Sequence, residues 1–208
     1  MYIYWLGESS FKIKTDEATV VIDPGAKNTG LPQITTKAEV VILSHTIPTD
    51  IDRVQSSQDT RKLFVIQQPG EYEVKGVFVY GLPGDNKSVL YLLKMEDIEI
   101  AHLAGLTRTL NDKQLELFEG VDIVTIPVGG NGVLSHKEAD EVVSQLEPRI
   151  VIPMNYSVPS LATKRDSVDG FLTLMGAKEL APETSLYITK AKLPQEETRI
   201  VLLQLSPC

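Results

Sequence analysis

Short runs of β-branched and aromatic residues fill most of the first 103 residues, and this succession limits the fold more than any other feature of the chain. Residues 2–6, 10–14 and 18–23 are runs of this kind, separated by short turn segments. Residues 40–43 are apolar without interruption, which is typical of a strand covered on both faces. Short strand-like runs continue as far as residue 103. Residues 74–80 are predicted to form a single strand. The first half is therefore predicted to be mainly β-structure.

Amphipathic helices alternate with strands only in the second half. Ser135 and Glu138 form a capping-box pair, and the helix that follows carries its apolar residues on one face as far as Leu146. Asp166 or Ser167 is predicted to cap a later helix. Because a helix with one apolar stripe must lie on the outside of a sheet, the pattern predicts two stacked mixed sheets with helices outside.

The length of 208 residues favours one domain that buries its core without disulfides. No linker is evident, so we predict a single domain of two fused halves, approximately residues 1–103 and 104–208. The single cysteine, Cys208, excludes an internal disulfide and fits a reducing compartment.

The charge and hydropathy patterns argue against several classes of partner. The net charge of −8 repels phosphate backbones, which predicts no broad nucleic-acid binding. No apolar stretch approaches the roughly 18 residues of a membrane span. The first residues also lack the basic and apolar regions of a signal peptide, and we expect a cytoplasmic protein without membrane contacts.

Polar, turn-rich segments follow several of the predicted strands and hold most of the residues that could carry chemistry. Loops at strand ends usually line the ligand pocket in layered folds of this kind, so a pocket is predicted at one edge. The segments are residues 7–9, 23–25, 44–46, 102–105, 127–130 and 153–156.

Two histidines in these segments are weak candidates for catalysis when they are considered alone. Neighbouring residues on a strand point to opposite faces, so Ser44 and His45 are predicted to be a poor nucleophile–base pair. His102 ends a predicted strand and is expected to bond to the backbone. The sequence contains no G-x-S-x-G elbow and no Gly-rich nucleotide loop.

Six segments in their order and spacing resemble the metallo-β-lactamase superfamily. They are WLGESSFKI at 5–13, VVIDP at 20–24, AEVVILSH at 38–45, PGEYEVKGV at 69–77, DIVTIPVGG at 122–130 and EPRIVIPMNY at 147–156. The chain is most similar to the small Zn-dependent, lactonase-like hydrolases of bacteria and archaea, from Trp5 to about Met175. This resemblance implies an α/β (α+β) fold, an αββα four-layer sandwich with a dinuclear metal site at one edge.

The metal motif of that family is largely replaced in this chain. Relatives carry His-x-His-x-Asp-His where this sequence has His45, Ile47, Thr49 and Asp50 at the four ligand positions. Only the first histidine of the motif is kept.

Three further metal-site positions also differ from the family pattern. Relatives place a bridging carboxylate where Gly105 stands, a final histidine where Asn155 stands, and often a histidine where Glu8 stands. A catalytic zinc needs about three protein ligands plus a water, whose pKa it lowers to about 7. His45 and Asp50 are the best remaining candidates for metal ligands.

We therefore expect a pseudoenzyme of metallo-β-lactamase fold, metal-free and catalytically inactive, with a binding or structural role and no cofactor. Its partner would be an unidentified small molecule or protein, and a homo-oligomer is possible. The vestigial pocket is predicted to contain Glu8, Asp23, His45, Ile47, Thr49, Asp50, His102, Gly105, Asn155 and Tyr156.

Two alternatives remain open. The first is an active metal-dependent hydrolase of esters, lactones or phosphodiesters, with zinc in a site rewired around His45, Asp50, His102, Asp23 and Glu8. The second is a metal-free catalyst that uses Asp or His in the pocket, although the sequence shows no triad and no carboxylate pair.

Overall fold

Two large β-sheets contribute their inner side chains to one hydrophobic core in the computed structural model, which describes residues 1–25, 28–45, 51–57 and 62–206. The strands, in chain order, are β1 (Tyr2–Gly7), β2 (Ser10–Lys14), β3 (Thr19–Ile22), β4 (Thr36–Ala38), β5 (Val40–Ile42), β6 (Val54–Ser56), β7 (Phe64–Ile66), β8 (Gly70–Val74), β9 (Val77–Pro83), β10 (Val89–Met95), β11 (Ile98–His102), β12 (Ile123–Pro127), β13 (Ile150–Met154), β14 (Leu186–Tyr187) and β15 (Arg199–Ile200). The helices are α1 (Asp112–Phe118), α2 (His136–Leu146) and α3 (Asp169–Leu174).

The first sheet has six strands in the order β14-β1-β2-β3-β5-β7, and the second has seven in the order β15-β13-β12-β11-β10-β9-β8. Both sheets mix parallel and antiparallel pairs, as the sequence predicted. Strands from both predicted halves of the chain lie in the second sheet. A small parallel pair, β4 and β6, packs against the first sheet through Val21, Ala38, Val41 and Val54.

The parallel pairs explain why the polar segments meet at one edge. β3 and β5 run side by side in one sheet, and β11, β12 and β13 do so in the other. The carboxyl ends of parallel neighbours lie at the same edge of a sheet. Every residue of β5, β12 and β13 is buried, so these strands are rigid supports for the loops that follow them.

One sequence interpretation was wrong in the first half of the chain. Residues 74–80 read as a single strand, but β8 ends at Val74 and β9 begins at Val77. Lys75 and Gly76 both have positive φ, +51° and +71°, and form the two-residue turn of a hairpin. Such a turn matches the right-handed twist of the two strands it connects.

Helix α2 has the capping box that the sequence predicted. The Ser135 hydroxyl accepts a hydrogen bond from the Glu138 N–H, and the Glu138 carboxylate accepts one from the Ser135 N–H at 2.8 Å. Helix α3 differs from its prediction, because Val168 occupies its N-cap without a side-chain bond. Ser167 lies one residue earlier and accepts instead from the Asp169 N–H at 3.3 Å.

Ser135→Ala is expected to lower the free energy of unfolding by about 1 kcal/mol, because the Glu138 N–H loses its acceptor. Urea unfolding followed by circular dichroism measures this change. Ser144→Ala, at an exposed position of the same helix, is the matched control and should be neutral or slightly stabilising. Equal effects of the two substitutions would contradict the capping role.

No helix in the described part of the chain is long and apolar enough to cross a membrane.

Candidate functional site

A cavity of about 540 Å³ opens at the edge where the parallel strands end. Glu8, Asp23, His45, Gly105 and Asn155, all singled out from the sequence, line it together. They come from loops that follow β1, β3, β5, β11 and β13, so both sheets contribute to the wall.

Asp23 lies at the centre of a hydrogen-bonded group. Its Oδ1 accepts from the Ser44 backbone N–H at 2.7 Å, and its Oδ2 accepts from the Ser44 hydroxyl. The same Oδ2 is 3.6 Å from Nδ1 of His45 and 3.6 Å from Nε2 of His102. One buried carboxylate therefore faces a hydroxyl and two imidazoles.

Burial on its own would raise the pKa of Asp23. The imidazoles of His102 and His45, each 3.6 Å from Oδ2, oppose burial and outweigh it, so the pKa of this carboxyl lies far below its usual range. Asp23 is consequently ionised at any physiological pH.

Ser44 and His45 contact each other, contrary to the expectation that they point apart. The Ser44 Oγ and the His45 Nδ1 are 2.6 Å apart. β5 ends at Ile42, so the alternation of a strand no longer governs these two residues. The Ser44 hydroxyl is itself fully buried and lies between the imidazole and Asp23.

His102 lies behind the cavity wall rather than in it. The side chain is fully buried, packs edge-on against Phe11 with ring centroids 5.9 Å apart, and bonds through Nδ1 to the Thr125 hydroxyl at 2.8 Å. The expected bond to backbone was wrong, because the parallel register of β11 and β12 sets His102 directly beside Thr125.

Gly105 and His45 are in close contact. Gly105 has a φ of +72°, and a Cβ built on it would lie well inside van der Waals contact with Nε2 of His45. The imidazole thus fills the space that a side chain at position 105 would need.

Glu8 and Asn155 both line the cavity and are hydrogen-bonded to each other. The Asn155 Nδ2 donates to Oε2 of Glu8 at 2.6 Å, and the Arg165 Nε donates to the same oxygen at 3.4 Å. Arg165 also donates to the carbonyls of Gly130 and Asn131, at 3.3 and 2.8 Å. Glu8 Oε1 and Asn155 Oδ1 are buried and have no hydrogen-bond partner among the described residues.

Arg165 lines the cavity, and the sequence did not single it out as a site residue. Its pair with Glu8 joins positions 157 residues apart, which no local pattern could indicate. The only available signal was a basic residue in a polar loop beyond a strand end.

Three wall residues hold strained backbone conformations. Glu8, Asp23 and Asn155 have φ values of +47°, +45° and +53°. The left-handed region is uncommon outside glycine, although Asp and Asn enter it more readily than other residues. All three residues line the cavity.

Tyr156 was grouped with the pocket from the sequence, but it does not line the cavity. Its ring stacks on Trp5 at 4.8 Å, and its hydroxyl donates to the Leu203 carbonyl at 3.3 Å. Burial raises the pKa of Tyr156. Asn155 lines the cavity, whereas its neighbour Tyr156 packs in the core.

Three predicted pocket positions, Ile47, Thr49 and Asp50, lie outside the described residues. Within residues 1–25, 28–45, 51–57 and 62–206, no group of three or more His, Cys, Asp or Glu side chains is arranged to hold a metal ion.

Known proteins with related sequences are metal-dependent hydrolases. A UPF0173 metal-dependent hydrolase of Pyrococcus horikoshii is 34% identical over 100 residues, which cover 42% of this chain and 44% of that protein. The match therefore spans less than half the length of that relative. A UPF0173 metal-dependent hydrolase of Thermococcus onnurineus is 26% identical over 214 residues, covering 85% of this chain and 92% of the relative.

A solved structure and a family profile agree with these relatives. The crystal structure from Thermotoga maritima, described as a Zn-dependent hydrolase of the metallo-β-lactamase superfamily, superposes with a TM-score of 0.82. It is 30% identical and covers 98% of both chains. The profile of the beta-lactamase superfamily domain matches residues 2–155. With this fold and these relatives, the chain belongs to the metallo-β-lactamase superfamily, in the family of metal-dependent hydrolases.

Proposed function

We propose that this chain keeps the metallo-β-lactamase fold without its metal centre, and that the cavity binds a ligand without hydrolysing it. The contact between Gly105 and His45 carries this proposal. Where relatives have a bridging carboxylate, this chain has no side chain, and the imidazole of His45 lies against the glycine. A carboxylate at that position and the present orientation of His45 exclude each other.

The hydrogen-bonded pair of Glu8 and Asn155 is a second observation that supports the proposal. Asn155 stands where relatives have a histidine and Glu8 where they often have one, and here the amide of Asn155 donates to the carboxylate of Glu8 at 2.6 Å. Arg165 adds a positive charge next to that carboxylate. A cation close by would be repelled by the guanidinium and would compete with it for Glu8.

The remaining donors in the described part of the chain do not fit a pair of zinc ions. Zinc would supply a bound water that ionises near neutral pH. Each ion needs about three protein ligands. Both oxygens of Asp23 already accept hydrogen bonds from Ser44, and the amide of Asn155 is a weak ligand. Among the described residues, His45 belongs to no group of three or more His, Cys, Asp or Glu side chains that could hold a metal ion.

An active metal-dependent hydrolase is the second candidate. The similarity to these relatives favours it, since they are described as metal-dependent hydrolases, one of them Zn-dependent. It requires ligands from residues 46–50, which include Asp50, beside His45.

A hydrolysis screen distinguishes the two candidates. The protein is assayed on ester, lactone and phosphodiester substrates with added zinc or manganese, beside His45→Ala and an active hydrolase of the same fold. We expect rates that added metal does not raise and that match those of His45→Ala. Metal-dependent turnover that is abolished in His45→Ala would establish the hydrolase instead.

A further inference from the structure

The outer face of the first sheet presents tyrosines and lysines at its β14 edge. In β1 the side chains of Ile3 and Trp5 enter the core, so Tyr2 and Tyr4 project from the opposite face. Residues directly opposite each other in neighbouring strands share a face. The cross-strand partners on this face are Tyr187 and Lys14 for Tyr2, and Lys12 for Tyr4.

The small β4–β6 sheet covers only the other part of this outer face. Val21 lies opposite Lys12 in the register of β2 and β3 and is buried against Ala38 and Val54. Outside the part that β4 and β6 cover, Tyr2 is 43% exposed and Tyr187 is 46% exposed. Large aromatic side chains at this exposure, grouped on one flat face, are typical of a protein-binding surface.

Three lysines place positive charge on this face of an acidic chain. Lys12 and Lys14 flank the tyrosines, and Lys192 lies over the Tyr187 ring at 4.6 Å from its centroid. In the part of the chain that the structure describes, none of the three lysines has a carboxylate within ion-pair distance. The net charge of the chain is −8. A positive face on an acidic protein is complementary to an acidic partner.

The arrangement of the rings favours a polypeptide over nucleic acid. Bases bind by stacking on free aromatic faces. Here the Tyr2 ring lies 6.3 Å from Tyr4 at an interplanar angle of 18° and 4.7 Å from Tyr187, while Lys192 covers a face of Tyr187. These ring–ring and ring–lysine contacts occupy part of the stacking surface, and the tyrosine hydroxyl groups suit the side chains and backbone of a protein.

We infer that this tyrosine–lysine face, made of Tyr2, Tyr4, Lys12, Lys14, Tyr187 and Lys192, binds an acidic segment of a protein partner. The tyrosines form the centre of the interface and the lysines its rim, as in protein interfaces generally. The inference does not depend on the chemistry of the cavity.

The test uses a fluorescein-labelled synthetic peptide in which glutamate alternates with leucine, titrated with the full chain and followed by fluorescence anisotropy. Saturable binding is expected to weaken about tenfold or more in Lys12→Glu/Lys14→Glu and in Tyr2→Ser/Tyr187→Ser. The control Lys113→Glu/Lys178→Glu makes the same charge change at exposed positions elsewhere and should leave binding unchanged. Unaltered thermal unfolding of each variant shows that it is folded.

Three outcomes would overturn the inference. One is the absence of saturable peptide binding by the unmodified chain. Another is equal weakening in the control and in the lysine variant, which would show a general charge effect. The third is tighter binding of an unlabelled oligothymidylate competitor that is lost in the tyrosine variant, since this would identify a nucleic-acid surface.

Discussion

Gly105→Asp is expected to destabilise the protein by about 2–4 kcal/mol and to restore no metal binding by itself. The cost has two parts, the left-handed φ of +72° and the contact with Nε2 of His45, which must move to make room. Chemical denaturation measures the loss of stability. Metal analysis of the purified variant shows whether it binds metal.

The chain offers a matched control for the backbone part of this cost. Gly120 has a φ of +74°, and a Cβ there would have no atom within 4 Å in the described part of the chain. Gly120→Asp should therefore cost only about 1 kcal/mol, from the backbone alone. Adding His45→Ala to Gly105→Asp should remove much of the extra cost of Gly105→Asp over Gly120→Asp, because positions 45 and 105 are in contact. Equal costs at positions 105 and 120 would contradict this description of the cavity.

Asp23→Asn is expected to lower the free energy of unfolding by about 3 kcal/mol at pH 7, because it removes the buried charge that faces two imidazoles. Asparagine has the same shape and also tolerates the left-handed backbone at this position, so the change tests the charge rather than the conformation. Urea unfolding measures the effect. Asp16→Asn, an exposed control, should be nearly neutral.

The same residue predicts a pH dependence with a definite sign. The pKa of Asp23 in the folded protein is lowered from an ordinary value of 3.8. A carboxyl with a lowered pKa contributes stability that is fully present above the unfolded value and is lost as pH falls toward the folded value. The difference between the unmodified protein and Asp23→Asn should therefore narrow as pH falls below about 4. A difference that widens in acid would contradict the assignment.

The sheets and most helices were predictable because their signals are local. The uninterrupted apolar run of β5 and the capping box at Ser135 each fall within a few residues of sequence, and the structure contains both elements. The sequence also predicted that the polar segments meet at one edge, because each of them follows a strand. The Lys75–Gly76 turn was missed because its left-handed residues carry no strong turn signature apart from one glycine.

The cavity wall was less predictable, since long-range contacts and strained backbone determine it. Arg165 and Glu8 lie in loops that follow strands of different sheets. Glu8 and Asn155 line the cavity with positive φ values, and Tyr156 stacks on Trp5. Hydrophobic periodicity is a property of a single helix or strand, whereas each of these contacts joins residues from different parts of the chain.

Metal content is the most direct test of the claim that the fold has lost its metal centre. The protein is purified with zinc and manganese present, moved by gel filtration into metal-free buffer, and analysed by inductively coupled plasma mass spectrometry. Our account predicts an amount far below one ion per chain, unchanged in His45→Ala. One or more tightly held ions per chain in the unmodified protein, lost in His45→Ala, would contradict it.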